Sequence, residues 1–202
     1  MAIVRPFLIF ALGLNVRNLK RLQVPDGAHL VAANHNSHLD ALVVMSLFKL
    51  SQMHKVKFVA ARDYFCRTPA LEWFSLNIIG IIPIDRKGKS RDPLQPVLKA
   101  LQDGYTVVIF PEGSRGEPEK RVPFKYGVAK LIELTPGITL TPIFMHGLGK
   151  SLPRGEGLFV PFVCEINIGN DMSWTGDKKS FIDGLEMKFT KMEKEIAPKE
   201  WK

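Results

Sequence analysis

A chain of 202 residues, 46% hydrophobic and 24% charged, fits one globular domain and excludes a disordered chain, a collagen or a coiled coil. Folding at this length buries about 70% of the extended-chain surface, so neither a disulfide nor a structural metal is needed. The two widely separated cysteines, Cys66 and Cys164, read as ordinary thiols. Twenty-eight Lys and Arg against twenty Asp and Glu leave a net charge of +8, which favours anionic partners; without RNP-like aromatics or paired Cys/His fingers, nucleic acid is set aside in favour of lipid headgroups or phosphorylated substrates.

Residues 1–14 carry an apolar run from Phe7 to Leu14, preceded by Arg5 and followed by Arg17, Lys20 and Arg21. The run is far shorter than the roughly 20 residues a bilayer span takes, and no small-residue cleavage site follows it, which argues against a signal peptide. It reads either as an interfacial anchor with basic flanks or as a buried first helix. Alternation over 16–19 then suggests the start of a strand, and 29–33 a buried strand. Residues 37–50 have helical spacing, with Leu39, Leu42, Val43, Ser46 and Leu47 on one face. A strand over 56–60, a helix over 69–76, a strand over 78–84 and a helix over 93–102 ended by Gly104 follow. A β-branched strand at 106–110, a helix at 126–134 stopped by Pro136 and Gly137, and strands near 139–144 and 162–168 come next. The chain closes on an amphipathic helix with Phe181, Leu185, Phe189 and Met192 on one face. Short apolar runs alternating with helices predict an α/β fold, a mixed and largely parallel sheet flanked by helices. With no internal repeat or linker, residues 15–202 are expected to form one domain.

Three segments stand where strands end. In Asn34-His35-Asn36-Ser37-His38-Leu39-Asp40 a histidine precedes an aspartate by five positions, just ahead of a helix. One ring nitrogen of His35 can donate to the Asp40 carboxylate and leave the other as a proton acceptor, which makes a base. The same residues also form a capping box, Ser37-x-x-Asp40, in which Asp40 only closes the helix end. Phe110-Pro111-Glu112-Gly113-Ser114-Arg115-Gly116 sets two glycines around a carboxylate, a hydroxyl and a guanidinium. It is either a loop presenting backbone N–H groups and an arginine fork to a phosphate or oxyanion, or a plain glycine-rich turn. Ser114 lacks the Gly-x-Ser-x-Gly setting of a hydrolase nucleophile. Ile82-Pro83-Ile84-Asp85-Arg86 ends a third strand, and Arg86 suits bidentate contact with a phosphate. His29, His54 and His146 lack ligand-spaced companions, so no metal site is expected.

Together and in chain order, these segments resemble the glycerolipid acyltransferase family, typified by 1-acylglycerol-3-phosphate acyltransferases. The first matches its histidine-four-residues-aspartate motif, Ile82 to Arg86 its second block and Phe110 to Arg115 its third. Thr141-Pro142-Ile143 matches a fourth, proline-centred block. Two features differ from the common pattern: Ala61-Arg62-Asp63-Tyr64 stands where many members have lysine-x-glutamate-leucine, and the apolar N-terminal segment is short.

The resemblance implies transfer of a fatty acyl group from a thioester, acyl-CoA or acyl carrier protein, to the hydroxyl of a lyso-lipid, foremost 1-acylglycerol-3-phosphate. It assigns His35 and Asp40 as catalytic, and Arg86, Glu112, Gly113, Ser114 and Arg115 as holding the acceptor phosphate. Pro142 falls in an acyl or acceptor pocket. No metal or tightly bound cofactor is required. Peripheral or monotopic attachment to an anionic membrane surface, on the cytoplasmic face, is expected. Another lysophospholipid or an ornithine-type lyso-lipid as acceptor, a histidine-based thioesterase, and a non-catalytic anionic-lipid-binding module are the alternatives.

Overall fold

The structure is a computed structural model, and it describes residues 13–37, 39–65, 68–85, 92–114, 116, 120–151 and 164–196. All but the last two residues of the segment 1–14 lie outside them, so the choice between anchor and buried helix is not touched. Seven strands form one sheet: β1 Asn15–Arg17, β2 His29–Ala33, β3 Val56–Ala61, β4 Ile81–Ile84, β5 Thr106–Ile109, β6 Leu140–His146 and β7 Glu165–Ile168. Their order is β1-β7-β6-β2-β5-β3-β4, and every neighbouring pair is parallel except β6 with β7. The helices are α1 Asp40–Leu47, α2 Arg62–Phe65, α3 Pro69–Phe74, α4 Gln95–Gln102, α5 Gly127–Leu134, α6 Leu148–Ser151 and α7 Lys178–Ile196. This is the mixed, largely parallel α/β sheet that the sequence predicts.

The apolar character of β2 follows from its central place. A parallel strand covered on both faces has no polar side, so its residues read as a continuous hydrophobic run. Leu30 and Ala32 point into one apolar layer with Val97 and Leu101 of α4, Val128 of α5 and Phe181 and Phe189 of α7. Val31 and Ala33 point into the opposite layer with Val43 and Val44 of α1. Phe181, Leu185 and Phe189 of α7 are fully buried, and the Phe189 ring meets Phe124 edge-on at 4.9 Å. The stripe that predicts this helix is therefore the stripe it buries.

Two predicted elements differ. The helix expected over 37–50 is only Asp40–Leu47, followed by the 3₁₀ segment Leu50–Lys55; its first residues belong to a loop gathered around the Asp40 carboxylate. The strand expected over 78–84 begins at Ile81, because the chain after α3 continues as a π-helical turn, Ser75–Ile79. Gly80 ends that turn at φ 77°, donating its N–H to the Ser75 carbonyl, a left-handed C-terminal position that suits glycine.

The topology decides where loops meet. Strands β2 and β5 are parallel neighbours, so the segments that follow both of them leave the same sheet edge. The chain then goes to opposite faces, α1 into one apolar layer and α5 into the other. In α/β sheets a crevice opens at such a divergence.

Candidate active site

The turn after β2 is set by a side chain. Asn34 is buried; its amide donates to the Met145 carbonyl at 2.8 Å and accepts the Met145 N–H at 2.7 Å, which continues the β2–β6 pairing by one residue and releases the main chain to turn. His35 comes next and is held on both backbone groups by the loop after β5. Its N–H donates to Glu112 Oε1 at 2.9 Å, and its carbonyl accepts the Gly116 N–H at 3.0 Å.

The His35 ring is fixed twice over. It stacks on Phe110 with centroids 4.2 Å apart and planes 23° from parallel, and Nδ1 lies 2.9 Å from Asp40 Oδ2. With Nδ1–H donating to the carboxylate, the lone pair resides on Nε2. The same Oδ2 accepts the backbone N–H groups of Asn36 at 2.6 Å and Ser37 at 2.8 Å, while Ser37 Oγ accepts the Leu39 N–H at 3.2 Å. Helix α1 begins at Asp40 with Leu39 ahead of it and no side-chain cap, so this one carboxylate oxygen ties down the loop before the helix and also orients the imidazole. Asp40 is 1% exposed and the His35 side chain 21%, so the carboxylate is withdrawn from water behind an accessible ring.

Glu112 requires a correction. Expected among the groups around an acceptor phosphate, it is instead 1% exposed, with Oε1 receiving the His35 N–H and Oε2 the Val122 N–H at 3.5 Å. A carboxylate repels a phosphate, and this one is spent on main-chain donors, so it positions His35. Burial pushes its pKa up to about 7, opposed by the two backbone donors; the Asp40 charge adds to the rise and Arg121 counters it. Because the folded value lies above the unfolded 4.5, the associated stability is fully present below about pH 4.5 and is lost as pH rises through about 7. Full deprotonation corresponds to about 3 kcal/mol. Glu112→Gln keeps an oxygen for the His35 N–H but does not titrate. Denaturant midpoints measured between about pH 5 and pH 8 should therefore fall in the wild type and stay flatter in the variant.

Pro142 is a second correction. It pairs with Ala32 within the sheet, its carbonyl accepts the Gly169 N–H at 2.9 Å, and its ring lies against Gly169. A Cβ on Gly169 would come within 2.7 Å of Pro142 Cγ and 2.9 Å of Met192 Sδ. Pro142 is thus buried under α7 and belongs to the core rather than to an acyl or acceptor pocket. Gly113 has φ 75°, which explains the glycine, and Ser114 is exposed beside it. Arg86 and Arg115 lie outside the described residues. Among the described residues no three His, Cys, Asp or Glu side chains are grouped to hold a metal.

Residues 13–146 match the profile of the acyltransferase family. The chain belongs to that family. The matched segment spans both loops of the site and ends at the last residue of β6. Over 148 residues the chain is 30% identical to a chloroplastic 1-acyl-sn-glycerol-3-phosphate acyltransferase of Arabidopsis thaliana, covering 72% of this chain and 39% of the relative. It is 26% identical over 151 residues to a probable 1-acyl-sn-glycerol-3-phosphate acyltransferase of Mycoplasma pneumoniae, covering 72% and 56%. The chain therefore spans about two fifths of the length of the plant relative and just over half that of the bacterial one. Its fold is similar to that of the 1-acyl-sn-glycerophosphate acyltransferase PlsC of Thermotoga maritima, with a TM-score of 0.77 at 18% identity over 98% of this chain and 80% of the other.

Proposed function

We propose that this acyltransferase moves a fatty acyl group from a thioester, acyl-CoA or acyl carrier protein, to the free hydroxyl of 1-acylglycerol-3-phosphate, giving phosphatidic acid. The observation that carries the reading is the 2.9 Å contact between His35 Nδ1 and the buried Asp40 carboxylate. That the relatives are 1-acyl-sn-glycerol-3-phosphate acyltransferases supports the acceptor.

In this mechanism His35 Nε2 takes the acceptor hydroxyl proton as the oxygen attacks the thioester carbonyl. The Asp40 carboxylate stabilises the imidazolium so formed. Collapse of the tetrahedral intermediate makes the ester C–O bond and breaks the C–S bond, and the imidazolium returns its proton to the departing thiolate. A positioned base contributes about 10²–10⁴ in rate, so orientation of the acceptor must supply a further share. We assign that anchoring to Gly113, Ser114 and Arg115 with Arg86, acting on the phosphate. Purified protein given radiolabelled acyl-CoA or acyl carrier protein and a panel of lyso-lipids tests the reading. Labelled phosphatidic acid is the expected product, and free fatty acid alone would identify a thioesterase instead.

We further propose peripheral or monotopic attachment at the cytoplasmic face of an anionic membrane, since acceptor and product both reside in a bilayer. Among the described residues no helix is long and apolar enough to cross one. Two basic residues expected at the headgroups serve the fold: Arg17 binds the Glu165 carboxylate and the Glu195 carbonyl, and Arg21 the Ile168 carbonyl. The electrostatic part of attachment is assigned to Arg5 and to the cations exposed among the described residues, Lys20 and Arg21 included, each contributing about 1 kcal/mol near an anionic surface. Deleting residues 1–14 should reduce co-sedimentation with anionic vesicles, and salt should weaken what remains. Equal pelleting of both proteins would assign the segment to packing instead.

A further inference from the structure

The loop after β5 holds a cation that neither the mechanism nor the motifs use. Lys125 precedes α5, and its backbone N–H donates to the Pro111 carbonyl at 2.9 Å, which fixes the residue alongside Glu112 and Gly113. The end of its side chain lies flat on Gly113. A Cβ at Gly113 would stand 2.6 Å from Lys125 Nζ, 2.9 Å from Cε and 3.0 Å from Cδ, so the lysine side chain lies directly against the glycine, whose positive φ is what requires it.

Two other lysines are paired with carboxylates. Lys130 pairs with Asp92 at 3.1 Å and Lys178 with Glu133 at 2.9 Å. Lys125 is exposed and has no carboxylate partner among the described residues. The two Glu112 oxygens are taken by the His35 and Val122 N–H groups. Two further features make this edge positive. Parallel β5 and β6 on either side of β2 require α5 to run back across the sheet, so its N-terminus, with a partial positive charge, starts at the edge that carries His35. No acidic residue stands in its first turn.

We propose that the Lys125 ammonium binds the phosphate of the acceptor, with the end of its side chain resting on the Gly113 turn. The inference rests on the acyl-acceptor reading above and extends it to a residue downstream of the glycine-rich segment. A flexible ammonium is a point charge with three donors, suited to a phosphate monoester that must enter and leave. It requires only that the anion approach the exposed side of the Gly113 turn, away from the buried Glu112.

The test separates charge from packing. Lys125→Met keeps the stem over Gly113 and removes the charge; Lys125→Arg keeps the charge. Lys125→Met should raise the KM for 1-acylglycerol-3-phosphate about tenfold to a hundredfold, the usual range for a lost charge-assisted contact, without a comparable change in donor KM. It should also erode the preference for this acceptor over monoacylglycerol, which lacks the phosphate, and Lys125→Arg should recover most of both effects. Calorimetric titration with glycerol 3-phosphate decides the matter without turnover: weaker binding to Lys125→Met than to wild type supports the inference even if the acceptor in the cell proves to be another phosphate ester. Unchanged glycerol 3-phosphate affinity and unchanged acceptor KM in Lys125→Met overturn it. Failure of the wild type to acylate any lyso-lipid, with the affinity difference intact, overturns the function and not the phosphate site.

Discussion

His35→Ala is expected to reduce acyl transfer by at least about 10²–10⁴, the range for loss of a positioned base, while the protein remains folded. The separation of the two effects comes from how the residue is held. Its backbone bonds to Glu112 and Gly116 do not involve the ring and survive truncation. Asp40 keeps the N–H groups of Asn36 and Ser37, so the loop ahead of α1 stays in place. What disappears is the imidazole, with its stacking on Phe110 and its contact with Asp40. The ring is partly exposed, so its loss opens no sealed cavity, and the thermal midpoint should move by only a few degrees. The measurement is single-turnover transfer of a labelled acyl group alongside circular dichroism of the same preparation. A folded His35→Ala protein working at the wild-type rate would remove His35 from the mechanism.

The pairing of His35 with Asp40 was legible because it is local. Five positions at a strand-to-helix junction fit within one turn of chain, so residue types and spacing suffice. The contact between His35 and Glu112 spans 77 positions and exists because β5 lies next to β2. No local pattern carries strand order, and a carboxylate between glycines and an arginine reads as a ligand loop until the fold shows it turned inward. Pro142 misleads for the same reason, since a proline-centred block marks a position in a strand without saying which layer covers it. Phe110, Asn34 and Lys125 went unassigned: an aromatic ring after a buried strand looks like more core, and the Lys125 contact depends on the φ of Gly113. An asparagine closing the apolar run 30–33 was the one available hint, because a buried amide there must find donors and acceptors of its own. His29 is a comparable case, a buried ring accommodated between the hydroxyls of Thr141 at 2.8 Å and Thr139 at 3.2 Å.

Asp40→Asn should separate the two duties that one oxygen performs. The amide oxygen can accept the Asn36 and Ser37 N–H groups in place of Oδ2, so the loop and the start of α1 should survive with a stability loss of about 1–2 kcal/mol. It has no charge with which to stabilise an imidazolium, and a rotated amide would present N–H to Nδ1 and select the wrong tautomer. Such an exchange in a histidine–aspartate pair can lower kcat by about 10⁴. The expected result is therefore a folded enzyme with a modestly lowered midpoint, near-normal binding of donor and acceptor, and nearly no turnover. Asp40→Ala should be worse in stability and no worse in rate, because it leaves buried N–H donors without an acceptor at about 1–3 kcal/mol each. Since His35 and Asp40 act as a unit, the double variant His35→Ala/Asp40→Asn should be scarcely slower than His35→Ala alone. An Asp40→Asn protein that loses stability yet keeps its full kcat would show that the carboxylate only ties down the loop ahead of α1, and the base at His35 would then need another partner to fix its ring.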